Sequence, residues 1–174
     1  VAAFAAGAPA ADDLTVLVLQ YVASPNRFVR SFPPTQDGIA QASEFLDVCL
    51  KEGSLEGSKI GRLDFPTSNL QPSNLLPALH VILDEIASNI VKHSGASGFE
   101  VDVELMDEPH GVKLVFIDDG APYDPLSHAD PDTTLPADKR PVGGLGILMV
   151  KKMSDSISYE RTRNRNFLSV FKEG

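Results

Sequence analysis

Between Ser73 and Ser94 the apolar residues Leu79, Ile82, Leu83, Ile86 and Ile90 recur at steps of three and four. That spacing predicts a helix from about residue 73 to residue 93 with one apolar stripe, and the stripe must be buried against another element. Ser73 or Asn74 is the expected cap, and Ser94-Gly95 the stop. Each residue turns a helix by ~100°, so Glu85, Asn89 and His93, spaced by four, form a column beside the stripe. Polar groups in that column sit at the rim of a core, partly desolvated. A carboxylate there can serve as a base. An Asn there can offer its carbonyl oxygen to a hard cation such as Mg²⁺.

The remaining segments supply what this helix packs on. Phe28–Phe32 reads as a short strand stopped by Pro33-Pro34. Thr35 can cap a helix running to about Lys51, with Ile39, Ala42, Phe45, Leu46 and Cys49 at helical spacing. Residues 52–74 are rich in Gly, Ser, Pro and Asn and are expected to form a loop, with a brief strand at 61–65. Phe99, Val101, Val103 and Leu105 alternate with Glu100, Asp102 and Glu104, the pattern of a half-exposed strand. Glu108–Gly111 turns the chain into a more buried strand over 112–117. Residues 121–142 hold five prolines, as a lid or an unstructured segment does. A helix is expected from Gly146 to about Asp155. Strands at 157–160 and 167–172 then close the chain as a hairpin turned near Asn164. The order predicts an α+β fold, with one mixed, mostly antiparallel sheet covered on one face by helices.

Charge and cysteine content narrow the function. A formal charge of −9 weighs against nucleic acid, whose binders present a basic face. No apolar run approaches the ~20 residues needed to cross a bilayer, so no membrane partner is expected. One cysteine, Cys49, excludes an internal disulfide, fits core packing and points to a reducing compartment, the cytoplasm. The histidines 80, 93, 110 and 128 lack zinc-ligand spacing. The chain opens without an initiator Met, as expected of a piece of a longer one.

Two further segments answer the Glu85–His93 column. Asp118 ends a buried strand, and its carboxylate can accept from the exocyclic amino group of adenine. Gly120, two residues on, permits close approach or a positive φ. Gly143-Gly144-Leu145-Gly146 then opens a helix, where backbone N–H groups and the helix N-terminus favour phosphate. No Lys-Ser or Lys-Thr follows, so this is not a P-loop, and no βαβ unit makes it a dinucleotide fingerprint.

Taken together, and in this order, the segments resemble the boxes of the GHKL (histidine-kinase-like) ATPase superfamily. They are most similar to the anti-sigma-factor serine kinases of bacterial partner-switching systems, across roughly residues 26–172. Glu85 and Asn89 match the first box, Asp118 and Gly120 the second, Gly144 and Gly146 the third. Gly-Gly-Leu-Gly-Ile at 143–147 and Arg-Asn-Phe-Leu at 165–168 look like that subfamily in particular.

The resemblance implies a Bergerat-type sandwich that binds Mg·ATP under a mobile lid. Glu85 would be the general base that activates a partner's serine. Asn89 would hold Mg²⁺, Asp118 and Gly120 would meet adenine, and Gly144 and Gly146 the phosphates. Lys92 or His93 would assist with phosphate charge. The implied partners are a STAS-domain anti-anti-sigma protein and a sigma factor, with a homodimer reasonable from the relatives. The sequence departs from the pattern at two places. Pro122 stands where the second box often has another glycine, and Asn166 near where many relatives carry Gly-Thr.

The first 22 residues are of another kind. Phe4–Pro9 followed by Asp12-Asp13-Leu14-Thr15-Val16-Leu17-Val18-Leu19 resembles the last strand of PP2C-like phosphatases of the sigma-regulator type, in which the first Asp, here Asp12, binds a metal. The expected division is a phosphatase remnant at 1–22 and the ATPase domain at 23–174. Three functions stay open at this point: a serine kinase that also sequesters a regulator, the ATP-binding half of a sensor histidine kinase, and a nucleotide-controlled binding module without phosphotransfer. Arg161, Arg163 and Arg165 are expected on one exposed strand face. Lys139-Arg140 are placed in the lid, where they would neutralise phosphate charge or touch a partner.

Overall fold

The computed structural model describes residues 26–56, 72–127, 129, 131 and 144–174. The expected strand at 12–21 with Asp12, the brief strand at 61–65, Gly143 and Lys139-Arg140 lie outside these residues. In chain order the elements are β1 (Arg27–Phe32), α1 (Gln36–Glu56), α2 (Pro72–Asn89), a π-helical turn (Ile90–Ser94), β2 (Phe99–Met106), β3 (Gly111–Asp118), α3 (Leu145–Met153), β4 (Ser156–Thr162) and β5 (Arg165–Glu173). No described helix is long and apolar enough to cross a membrane.

The strands form one sheet in the order β1-β2-β3-β5-β4. Every pairing is antiparallel, so the mixed sheet expected from the sequence is uniform across the described strands. Two hairpins make most of it. The β2–β3 hairpin sets Phe99 opposite Asp118 and Val103 opposite Leu114. In the β4–β5 hairpin Arg163 and Asn164 take positive φ values of 50° and 62°. Two consecutive left-handed residues are what a type I′ turn needs, and its twist matches the strands it joins.

Alternation along the strands decides which face is covered. Phe32, Phe99, Val101, Val103, Leu114, Phe116, Leu168 and Val170 are buried and join the α2 stripe of Leu79, Ile82, Leu83, Ile86 and Ile90 in one core. Ile39, Ala42, Leu46 and Cys49 bring α1 into it, and Val150 brings α3. Burying each Leu, Ile or Phe contributes roughly 1.5–3 kcal/mol, so this shared core dominates the energetics. Burial pushes the Cys49 thiol up to about 12, with Glu52 adding to the shift, as suits a packing residue. The α+β expectation holds, with the helices on one face of the sheet.

Several local readings need correction. Helix α1 runs through Glu56, past the expected end at Lys51. Glu52, Leu55 and Glu56 are good helix formers, and a single Gly53 costs only about 1 kcal/mol. Its start is as expected, since Thr35 Oγ1 accepts from the Gly38 N–H at 3.1 Å. Helix α2 begins at Pro72, which places Ser73 and Asn74 inside the first turn rather than at the cap. Proline is favoured there because its missing N–H would have had no helical partner. Helix α3 begins at Leu145, one residue before the expected Gly146, and ends at Met153.

The arginines of the last hairpin do not share a face. Arg161 lies opposite Asn166 and Thr162 opposite Arg165, so the hairpin places Arg161 and Arg165 on opposite sides, with Arg163 in the turn. Nor is the outer face of β2 simply solvated. Asp102 is only 3% exposed, because Arg27 on β1 lies across it and donates from Nε at 3.0 Å to each carboxylate oxygen. A buried charge needs such a partner.

Candidate functional site

The three segments singled out in the sequence meet along the C-terminal half of α2 and the turn that continues it. At one end Gly146, in the first turn of α3, lies directly against Glu85. A methyl group built on Gly146 would collide with Glu85 Oε2, so an alanine there would push the Glu85 carboxylate aside. At the other end Gly120 lies against Ser94. A methyl group there would stand 2.6 Å from both Ser94 Cβ and the Ser94 carbonyl oxygen. The Ala121 N–H donates to that same carbonyl at 2.9 Å, which ties the end of β3 to the end of the helix. Asn89 lies between these two docking points. Ser94 lies nine positions after Glu85, the last five of them in the π-helical turn.

The helix changes character at Asn89. From Ile90 to Ser94 it widens into a π-helical turn that closes on Gly95, whose φ is 66°. Glu85 and Asn89 keep their α-helical spacing. His93 lies within the π-helical turn and is exposed. Single π turns inside helices are frequent at functional sites. No feature of the local sequence announces this one.

Side-chain bonding differs along the site. Glu85 and Asn89 are half-buried, and neither side chain takes a hydrogen bond from a described residue. Asp118 is 6% exposed and tightly held. Its Oδ1 accepts from the Gly120 N–H at 2.8 Å and from Asn166 Nδ2 at 3.0 Å. Asn166 Nδ2 also donates to the Ala121 carbonyl at 3.0 Å. Asn166 Oδ1 accepts from Tyr159 Oη at 2.8 Å and from Arg161 Nη1 at 2.7 Å, and Arg161 Nη1 reaches the Gly120 carbonyl at 3.1 Å. The other Asp118 oxygen, Oδ2, meets no donor among the described residues. Asn166 stood in the sequence only as a departure from a pattern, and Tyr159 carried no signal. The register that pairs Asp118 with Asn166 across β3 and β5 is what exposes their role.

The surrounding loops are braced. Asp119 Oδ1 accepts from the Ser97 N–H at 2.8 Å and Oδ2 from the Ser97 hydroxyl at 2.6 Å. The Ser97 hydroxyl, then the Ser97 amide, hold the Asp119 carboxyl below the usual carboxylate range. Just after Pro122, Asp124 Oδ1 accepts from the Leu126 N–H at 2.8 Å, a short turn that fixes the exit from the site. Gly144 takes a φ of 82° at the N-terminus of α3, which a side chain would resist, and it packs near Pro131. The free N–H groups of the first turn of α3 therefore open beside Glu85.

Residues 32–172 match the histidine kinase-like ATPase domain family, and the chain belongs to that family. It is also similar to the serine/threonine-protein kinase BtrW of Bordetella bronchiseptica, with 29% identity over 94 residues. That alignment takes in 53% of this chain and 66% of the relative, just under two thirds of its length. A domain of this family binds ATP, and the antiparallel sheet with its helical layer fits it.

Proposed function

We propose that the chain is an ATP-dependent serine kinase and anti-sigma-type regulator, acting on a serine of a STAS-domain anti-anti-sigma partner. The observation that carries this reading is the helix from Glu85 to Ser94, which receives Gly146 of α3 at one end and Gly120, just after β3, at the other. A nucleoside triphosphate laid along it would set its base at Asp118 and Gly120 and its phosphates at Gly144, Gly146 and the N-terminus of α3. Its γ-phosphate would then lie at Glu85. Lys92 and His93, both exposed on the π turn, can supply charge only from the periphery. The kinase relative, similar over part of its length, supports the same class of reaction.

Magnesium fits the residues present. The Asn89 amide and the carboxylate of Glu85, one turn before it, take no hydrogen bond from another described residue, and Mg²⁺ commonly takes only one or two protein oxygens besides phosphates and water. Asn89 would hold it; when bound, the ion neutralises charge on the phosphates. The steps belong to the chain's own groups. Glu85 takes the proton from the partner's serine hydroxyl as that oxygen bonds to the γ-phosphorus. The bond from that phosphorus to the β–γ bridging oxygen breaks, and ADP leaves with the electron pair. The helix N-terminus and loop amides hold the phosphate oxygens in line.

The test is transfer of label from γ-labelled ATP to a STAS-domain protein. Glu85→Gln is expected to lower the rate by ~10²- to 10⁴-fold, the usual worth of a positioned base, while ATP affinity stays within about threefold. Undiminished transfer in that variant would remove Glu85 as the base. ATP binding without transfer in the wild type would favour a nucleotide-controlled binding module.

A further inference from the structure

Asn166 has no role in the reading above, yet it is the most fully bonded polar side chain around the site. All four of its hydrogen-bonding positions are used. Its Oδ1 receives Tyr159 and Arg161, and its Nδ2 gives to Asp118 Oδ1 and the Ala121 carbonyl. The chemistry of the partners fixes which way the amide points. A guanidinium has only donors, so turning the amide over would set N–H against N–H at Arg161 and oxygen against oxygen at Asp118. Arg161 Nη1 also reaches the Gly120 carbonyl, so one guanidinium holds both the amide and the loop after β3.

The consequence falls on Asp118. Two donors, the Gly120 N–H and Asn166 Nδ2, meet the same oxygen, Oδ1. They fix the rotation of the carboxylate about its last torsion, which is otherwise broad. Oδ2 is then left as one acceptor with one direction, unpartnered among the described residues. An acceptor-only group in that position accepts from a ring amino group and repels a ring carbonyl.

We propose that Asn166, locked by Arg161 and Tyr159, is the positioning residue that makes this site select a purine bearing a 6-amino group over one bearing a 6-oxo group. This rests on the reading that Asp118 receives the base. Without Asn166 the carboxylate keeps its bond to Gly120 but is free to turn. The base then loses a fixed acceptor, so binding of the 6-amino nucleotide weakens while that of the 6-oxo nucleotide does not.

The experiment is calorimetric titration of the chain with Mg·ATP and with Mg·ITP, the 6-oxo counterpart, for wild type, Asn166→Ala and Arg161→Met. Wild type is expected to prefer ATP by ~tenfold or more, the worth of one hydrogen bond to a charged acceptor. In Asn166→Ala the ratio falls to about threefold or less, chiefly through weaker ATP binding, and Arg161→Met shifts it the same way by a smaller factor. Equal weakening of both nucleotides in Asn166→Ala would mean a merely structural role and overturn the proposal. Should Asn166→Ala fail to fold, Arg161→Met decides: a lowered ratio supports the proposal and an unchanged one overturns it. Wild type that binds both nucleotides equally would overturn the proposal yet leave the nucleotide site standing. Wild type that binds neither removes the site itself, and the proposal with it.

Discussion

The two ends of the α2 helix half are built on opposite principles. At Asp118 most donors and acceptors are matched inside the protein: Gly120, Ala121, Tyr159, Arg161 and Asn166 close a network that leaves one oxygen open. At Glu85 and Asn89 the side chains stand without hydrogen-bond partners among the described residues, against a glycine that allows α3 to come close. A networked end is rigid and suits recognition of a fixed shape. An end with unspent polar groups suits a charged ligand and a proton transfer, because those groups are free to act on it. On the proposed function, the difference makes selectivity and chemistry separable, so that each should break alone.

Beside the Glu85→Gln loss of transfer, the largest effect is expected at the networked end. Asp118→Ala removes the open acceptor and leaves Asn166 Nδ2 without its carboxylate. Calorimetry should show ATP affinity lowered by roughly a hundredfold, the upper range for a hydrogen bond to a charged group. At the other end, Gly146→Ala should act on transfer instead. The added methyl displaces the Glu85 carboxylate, and a small misplacement of a base costs about ten- to a hundredfold in rate. Alanine favours a helix over glycine by ~1 kcal/mol, so the melting temperature should hold or rise while label transfer falls. A fall in melting temperature matching the loss of rate would deny that separation.

A third substitution lies outside both ends. His80 on α2 bridges to α1, with Nδ1 2.7 Å from Ser43 Oγ and Nε2 3.0 Å from Asp47 Oδ1. His80→Ala should cost about 1 kcal/mol in denaturant unfolding, the net worth of such partly exposed bonds, and leave ATP affinity unchanged. A change in affinity would show that the helix pair transmits to the site.

The smallest effect concerns the brace at Asp119. Its carboxyl titrates below the ordinary range in the folded chain, chiefly through the Ser97 hydroxyl and then the Ser97 amide. A lowered folded pKa means the brace stabilises fully above the unfolded value near ~3.9 and is lost as pH falls through the lower folded value. Asp119→Asn should therefore lessen the acid-side loss of stability below about pH 4 and change nothing at pH 7 beyond the missing brace. An unchanged acid limb in a pH series of melts would contradict this.

Much of the scaffold was legible because its causes are local. The α2 stripe, the Thr35 cap, the β2–β3 hairpin and the hairpin turn near Asn164 each follow from a few neighbouring residues. The candidate site was legible for a similar reason. Glu85, Asn89, Asp118, Gly120, Gly144 and Gly146 stand in three short segments, and α2, β3 and α3 bring them to one helix.

What escaped depends on contacts distant in sequence. Asp102 reads as an exposed alternation residue until Arg27, 75 positions away, covers it. Asn166 reads as a departure until Asp118, 48 positions away, accepts from it. The face of Arg161 was misjudged because the hairpin reversal, not the alternation along one strand, decides it. The π turn over Ile90–Ser94 ends where Gly120 and Ala121 meet Ser94, and no residue within it announces it.

The central claim is that Glu85, Asn89, Asp118, Gly120, Gly144 and Gly146 line one nucleotide site along α2. The most direct measurement is a titration of the isotope-labelled chain with Mg·ATP, read as backbone amide shifts residue by residue. Saturable shifts clustered at 85–95, 118–121 and 144–148, with the outer sheet face around Arg27 and Asp102 undisturbed, are the predicted result. Shifts confined to that outer face, or no saturation at all, would contradict it.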